Sequence, residues 1–150
     1  MYDSMYKLID WQEFSQQPLT EDQISAYQDY VKWDIISRYQ TLSESFIERH
    51  QDRVIWSLIS MYQTLSESFI ERHQDQVDWL LICQYQALSE SFIAQHKDCV
   101  NWTSICQYQA LSESFIKQYT DQVNWYWLSE NQKISKSFIE NYVNGYDECD

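Results

Sequence analysis

Three histidines stand 23 residues apart, at His50, His73 and His96. Imidazoles at a fixed spacing are the raw material of a metal site or of a switch near neutral pH. The matching position elsewhere in the chain carries Tyr27, Tyr119 and Tyr142. A zinc ligand does not trade with Tyr, so the position calls for a planar ring near a helix end. No metal site is expected.

Carboxylates recur in the same way. One row is Glu44, Glu67, Glu90 and Glu113; a second is Asp29, Asp52, Asp75, Asp98 and Asp121. Paired carboxylates run acid–base chemistry when their environments push the two pKa values apart. Catalytic sites are singular, and these pairs are periodic. They read as helix-starting and turn residues, or as a ladder of negative charge facing a basic partner.

Among the nucleophiles, Cys83 and Cys106 occupy the position held by Ser15, Ser37, Ser60 and Ser129. Interchange of thiol and hydroxyl points to a small, half-buried side chain. Repeated layers stack roughly 10 Å apart, too far for a disulfide, so reduced thiols are expected. No Ser-His-Asp, Cys-His or phosphate-binding motif is present, and a single Gly cannot build a glycine-rich loop. No catalytic residue and no cofactor follow from the residues, and a non-enzyme is expected.

The elements that must carry these rows are tandem copies. Leu42-Ser43-Glu44-Ser45-Phe46-Ile47 returns from Leu65, Leu88 and Leu111, in weaker form from Ile134, and eroded from Leu19. Trp11, Trp33, Trp56, Trp79, Trp102 and Trp125 mark the other half, at 23-residue intervals after a first interval of 22. Such self-similarity identifies a repeat array. With one Gly and one Pro the chain lacks the turn residues that hairpins need. The expected fold is all-α, an α-solenoid of about six 23-residue two-helix repeats. Residues 1–18 form an N-terminal cap, 19–143 the repeats and 144–150 an acidic tail, with Gly145 as a helix stop.

Each repeat resolves into two helices of about ten residues. In the first, Ser43 is placed as N-cap, with Glu44 at the positive end of the dipole and Leu42 and Ile47 as a hydrophobic staple. In the second, Trp56, Ile59 and Tyr62 share a face. Asp10, Asp78, Asn101 and Asn124 are its expected caps. Where Lys32 or Ile55 stands there instead, Asp29 or Asp52 is the substitute. Leu42, Phe46, Ile47, Val54, Trp56, Ile59 and Tyr62 are expected to fill the space between layers.

The pattern Leu-Ser-Glu-Ser-Phe-Ile, Asp-x-Val-x-Trp and Ile-x-x-Tyr-Gln over residues 19–143 resembles short tandem helical-repeat proteins of unknown function in giant DNA viruses and some phages. The resemblance implies a viral origin and carries no activity with it.

A net charge of −13 disfavours direct contact with nucleic acid or anionic lipid and leaves protein partners, basic ones above all. No secretory leader and no bilayer-length apolar run is visible. A soluble intracellular protein is expected, in host cytoplasm or virion if viral. Framework positions stay constant while one face of the second helix varies. Asp34, Ile35 and Arg38 become Ser57, Leu58 and Met61, then Leu80, Leu81 and Gln84, then Thr103, Ser104 and Gln107, then Tyr126, Trp127 and Glu130. Solenoids read partners with such faces. Ile35, Leu58, Met61, Leu80, Leu81, Tyr126 and Trp127 are the candidate anchors on a concave surface. Tyr126 and Trp127 also suit terminal packing. The expected function is protein-binding scaffolding. Its alternatives are an acidic polyanion mimic that inhibits a nucleic-acid enzyme, and a structural component that self-assembles by end-to-end stacking.

Overall fold

The computed structural model describes residues 6–131 and 134–143. The expected stop at Gly145 and the acidic tail 144–150 lie outside them. Among the described residues are twelve α-helices, one short 3-10 turn and no strand. The architecture is an α-solenoid of two-helix repeats. The chain forms two compact units, Met1–Asp78 and Trp79–Asp150.

In the first unit the Trp-bearing helices are α1 (Trp11–Gln16), α3 (Trp33–Tyr39) and α5 (Trp56–Tyr62). The partner helices, capped by Thr20 in the first repeat and by Ser in the next two, are α2 (Glu21–Ala26), α4 (Glu44–Arg49) and α6 (Glu67–Arg72). The second unit repeats the order with α7 (Trp79–Tyr85), α8 (Glu90–Gln95), α9 (Trp102–Tyr108), α10 (Glu113–Gln118), α11 (Trp125–Asn131) and α12 (Lys136–Val143). Within a unit, Trp-bearing helices pack side by side: α1 with α3 and α3 with α5, then α7 with α9 and α9 with α11.

The helices run six to eight residues, shorter than the expected ten. A single turn closed by Val54 N–H on His50 O (3.1 Å) separates α4 from α5. An extended link, beginning at Gln40 with φ −87° and ψ 145°, separates α3 from α4. No described residue has positive φ, which is how a chain with one Gly makes so many reversals.

Ser43, Ser66, Ser89 and Ser112 cap their helices as expected, each accepting the N–H three residues on. The substitute caps do not form. The α3 and α5 N-caps are Lys32 and Ile55 themselves, without a side-chain bond, and Asp29 instead pairs with Arg53 at 2.8 Å. The N–H of each of these two residues is held by the preceding repeat: Lys32 N–H donates to Ser15 Oγ (2.9 Å) and Ile55 N–H to Ser37 Oγ (3.0 Å). That explains the serine–cysteine row. Asp78 N–H donates to Ser60 Oγ at 3.0 Å and Asn124 N–H to Cys106 Sγ at 3.2 Å. Ser15, Ser37, Ser60, Cys83 and Cys106 are fully buried, not half-buried, whereas Ser129 is exposed. Burial pushes the Cys83 thiol up to about 11, and Cys83, Cys99 and Cys106 form no disulfide.

Phe46, Ile47, Ile59, Phe69 and Ile70 are fully enclosed in the first unit, as are Ile82, Ile93, Ile105, Ile116 and Leu128 in the second. Each contributes about 1.5–3 kcal/mol before ordering entropy is subtracted, which lets helices of two turns persist. Two expectations about this core change. Trp56 and its five counterparts are only half-buried, and Tyr62 is 42% exposed. The indole needs its N–H satisfied, so Trp56 lies over the preceding turn and donates to Gln51 O at 3.2 Å. Tyr62, six residues on, lies about 120° round the helix from Trp56 and reaches solvent.

Candidate functional site

The periodic polar side chains identify the surface best by elimination, because most of them are spent on joining repeats. Glu21 Oε1 accepts Ser43 N–H (2.6 Å), Glu44 accepts Ser66 N–H (2.5 Å), Glu90 accepts Ser112 N–H (2.5 Å) and Glu113 accepts Ser135 N–H (2.8 Å). These carboxylates, with Glu67, are half-buried at helix starts. Donation from the Ser135 hydroxyl and N–H holds the Glu113 carboxyl below its usual value. The Glu row thus belongs to the fold. Asp29, Asp52, Asp75, Asp98 and Asp121 stand exposed in the turns.

A glutamine row that the residue-type survey passed over performs the complementary task. Gln63 Nε2 donates to Ser37 O (3.0 Å) and Gln40 O (2.8 Å), while its Oε1 accepts Leu42 N–H (3.0 Å). Gln40 and Gln109 make the same three bonds to Ser15, Gln17 and Leu19 and to Cys83, Gln86 and Leu88. Each buried amide satisfies an extended link that has no ladder of its own. The signal was present as the recurring Tyr-Gln pair at 39–40, 62–63, 85–86 and 108–109.

The histidines sit as planar rings at helix C-caps. His50 lies 4.4 Å from Phe46 and 5.2 Å from Trp33 by ring centroid; His73 and His96 repeat this, and Tyr119 takes the same place against Phe115 and Trp102. Among the described residues no three His, Cys, Asp or Glu side chains converge in a metal-holding group. No described helix is long and apolar enough to cross a membrane.

The outward ridge of the Trp-bearing helices remains. Its candidate anchors separate into three sets. Ile35 is only 6% exposed, packed inside the first unit, and is removed from the surface set. Leu58, Met61, Leu81 and Trp127 are half-buried, and Trp127 packs on the core formed by Cys106, Ile116, Val123 and Leu128. Leu80 (46%) and Tyr126 (65%) face outward. Of the Tyr126-Trp127 pair, Trp127 packs at the core of the last repeats and Tyr126 stays exposed.

Beside them runs a tyrosine row: Tyr39 and Tyr62 in the first unit, Tyr85 (51%) and Tyr108 (52%) in the second, all exposed. The Arg38 guanidinium lies 5.1 Å from both the Tyr39 and the Tyr62 ring centroids. In the second unit Gln84 replaces that Arg and turns to Ser104 Oγ (3.4 Å). There a cleft of about 410 Å³ opens, lined by Gln84, Tyr85, Ala87, Leu88, Tyr108 and Ala110 among others.

The fold and this surface define a class: a helical-repeat protein whose framework polar groups are used internally and whose second helices present a variable, aromatic-bearing ridge. In comparison with known proteins, no family model, no curated protein and no solved structure matches the chain.

Proposed function

We propose that the chain is a non-enzymatic protein-binding repeat scaffold that meets its partner with the ridge of the Trp-bearing helices. One observation carries this reading. The serine, glutamine and glutamate rows are engaged between repeats, whereas Leu80, Tyr85, Tyr108 and Tyr126 project large apolar surface into solvent. Exposed aromatic and aliphatic side chains on a rigid frame are what interface anchors are made of.

Two other readings have less support. A polyanion mimic needs a dense exposed ladder; the Glu row is tied to backbone N–H groups, which leaves the exposed Asp row, one per repeat, with Asp29 paired to Arg53. End-to-end stacking through the repeat contacts needs matching halves on the outer repeats. Thr20 N–H is already held by Gln23 Oε1 within α2 (2.9 Å), and Lys136 stands where the stapling Glu belongs.

The test is capture from host extract with the wild-type chain and with Leu80→Ser/Tyr126→Ser, after circular dichroism has established equal helicity. Loss of the captured protein in the double variant supports the scaffold reading. An unchanged set of captured proteins overturns it.

A further inference from the structure

We infer that the Tyr85–Tyr108 cleft is a receptor for an arginine side chain of a basic protein segment, an assignment that rests on the scaffold reading and names its partner's chemistry.

The first unit contains the occupied form of the same slot. Arg38, Tyr39 and Tyr62 occupy the repeat positions of Gln84, Tyr85 and Tyr108. In the first unit the guanidinium sits at 5.1 Å from both ring centroids, within the range of a cation–π contact. The planar ion is thus served by two rings on the neighbouring Trp-bearing helices α3 and α5. In the second unit the rings are again about half exposed, yet the side chain between them is a neutral amide that bonds elsewhere, to Ser104 Oγ. The repeat geometry is kept while the cation is gone.

Two of the side chains beside the slot are also smaller. Thr41 and Thr64 of the first unit are Ala87 and Ala110 in the second, and both alanines line the cleft of about 410 Å³. No acidic or basic residue lines it. The floor is made of the Gln86 and Gln109 links, with Gln109 Nε2 already donating to Gln86 O (2.8 Å). Such a floor has no spare carboxylate for a lysine ammonium, which favours the flat, weakly hydrated guanidinium that stacks on rings.

Charge complementarity selects the source of that group. Residues 79–150 hold nine Asp and Glu against four Lys, and the whole chain carries −13. This field draws in cationic segments and raises their local concentration. A proline-rich segment would use tyrosine walls as well, but it would gain nothing from this charge and would not mirror Arg38.

The experiment is an NMR titration of the full chain, following the Tyr85 and Tyr108 ring signals. Probes are N-acetyl-arginine amide, its lysine counterpart, the neutral isostere N-acetyl-citrulline amide, and a short proline-rich peptide. Saturable shifts of both rings with arginine are expected, weaker with lysine, and lost with citrulline. Replacing Tyr85 or Tyr108 by Leu weakens the arginine response about fivefold for each ring removed. Gln84→Arg fills the slot from within and abolishes it, while Tyr39→Leu in the first unit leaves it unchanged. Equal shifts with citrulline, saturation by the proline-rich peptide alone, or no saturation at all overturns the assignment. So does self-association of the chain that Gln84→Arg removes, which gives the slot to a second copy. A failed titration beside intact loss of capture by Leu80→Ser/Tyr126→Ser rejects the arginine slot and keeps the scaffold.

Discussion

Glu44 Oε1 accepts the backbone N–H of Ser66, 22 residues further on, at 2.5 Å. In an ordinary capping box the acceptor of the N-cap N–H is a Glu or Gln at the third position of the same helix. Here that position is Phe69, which is fully buried, so the preceding repeat supplies the carboxylate. Helix α2, capped by Thr20, has no such neighbour among the described residues. There Gln23 replaces Phe and closes the box locally with Thr20. One short contact thereby makes the starts of α4, α6, α10 and α12 depend on the repeat before them.

That dependence predicts acid sensitivity. Bonds from Ser135 hold the Glu113 carboxyl below its ordinary value of 4.5. A carboxylate with a lowered folded-state pKa contributes stability above the unfolded value and loses it as pH falls through the lowered one. Glu113→Gln should therefore flatten the decline in stability below about pH 4.5. Urea unfolding followed by tryptophan fluorescence reads this; parallel pH curves for variant and wild type would show that the staple contributes nothing.

Removing a glutamine staple costs more. Gln63→Ala leaves Leu42 N–H without an acceptor and takes the amide donor from the Ser37 and Gln40 carbonyls, all in buried surroundings. A loss of about 3 kcal/mol is expected. Gln17→Ala, at the matching but exposed position, should change stability by less than about 0.5 kcal/mol. The contrast between the two denaturation midpoints is the measurement.

What the residue pattern revealed and what it hid follow from this chemistry. Period, helix order, serine caps and buried Phe-Ile pairs were legible, because apolar spacing and capping preferences are local. The roles of Gln63, Ser37 and Glu44 were not. Each satisfies a backbone group 18 to 26 residues away, and only the stacked geometry brings that group near. Tyr62 was misplaced in the core because Trp56, Ile59 and Tyr62 span more of the helix circumference than one face allows. The site was legible as a variable face, whereas the tyrosine slot needed Arg38 to be seen between two rings.

His50 provides a second pH effect, at higher pH. Burial first, then the Arg49 and Arg53 charges, lower its pKa from 6.5, against a smaller opposing pull from Glu21. On acidification the unfolded chain takes up this proton before the folded one. Stability is therefore present above about 6.5 and falls as pH drops toward the lowered folded value. His50→Tyr, which installs the ring found at Tyr27 and Tyr119, should preserve stability at neutral pH and remove this part of the slope. An NMR titration of His50 giving a value at or above 6.5 would refute the mechanism.

The two uncapped helices offer a gain of stability. Ile55 and Lys32 sit at φ −94°, ψ 102° and φ −88°, ψ 102°, nearly the geometry of Asn101 at φ −85°, ψ 103°. Asn101 Oδ1 accepts the Ser104 N–H at 2.9 Å, and the same position in α3 and α5 has no such bond. Ile55→Asn should add about 1 kcal/mol, since Ile55 is 41% exposed and gives up little burial. Lys32→Asn should add slightly more, because it also takes a cation from the positive end of the α3 dipole. Both N–H bonds to Ser15 and Ser37 survive, as they use the backbone alone. Midpoints of denaturant unfolding for the two variants and their combination test this: the gains should add, and a midpoint that does not rise in either variant means the asparagine oxygen never reaches the third N–H.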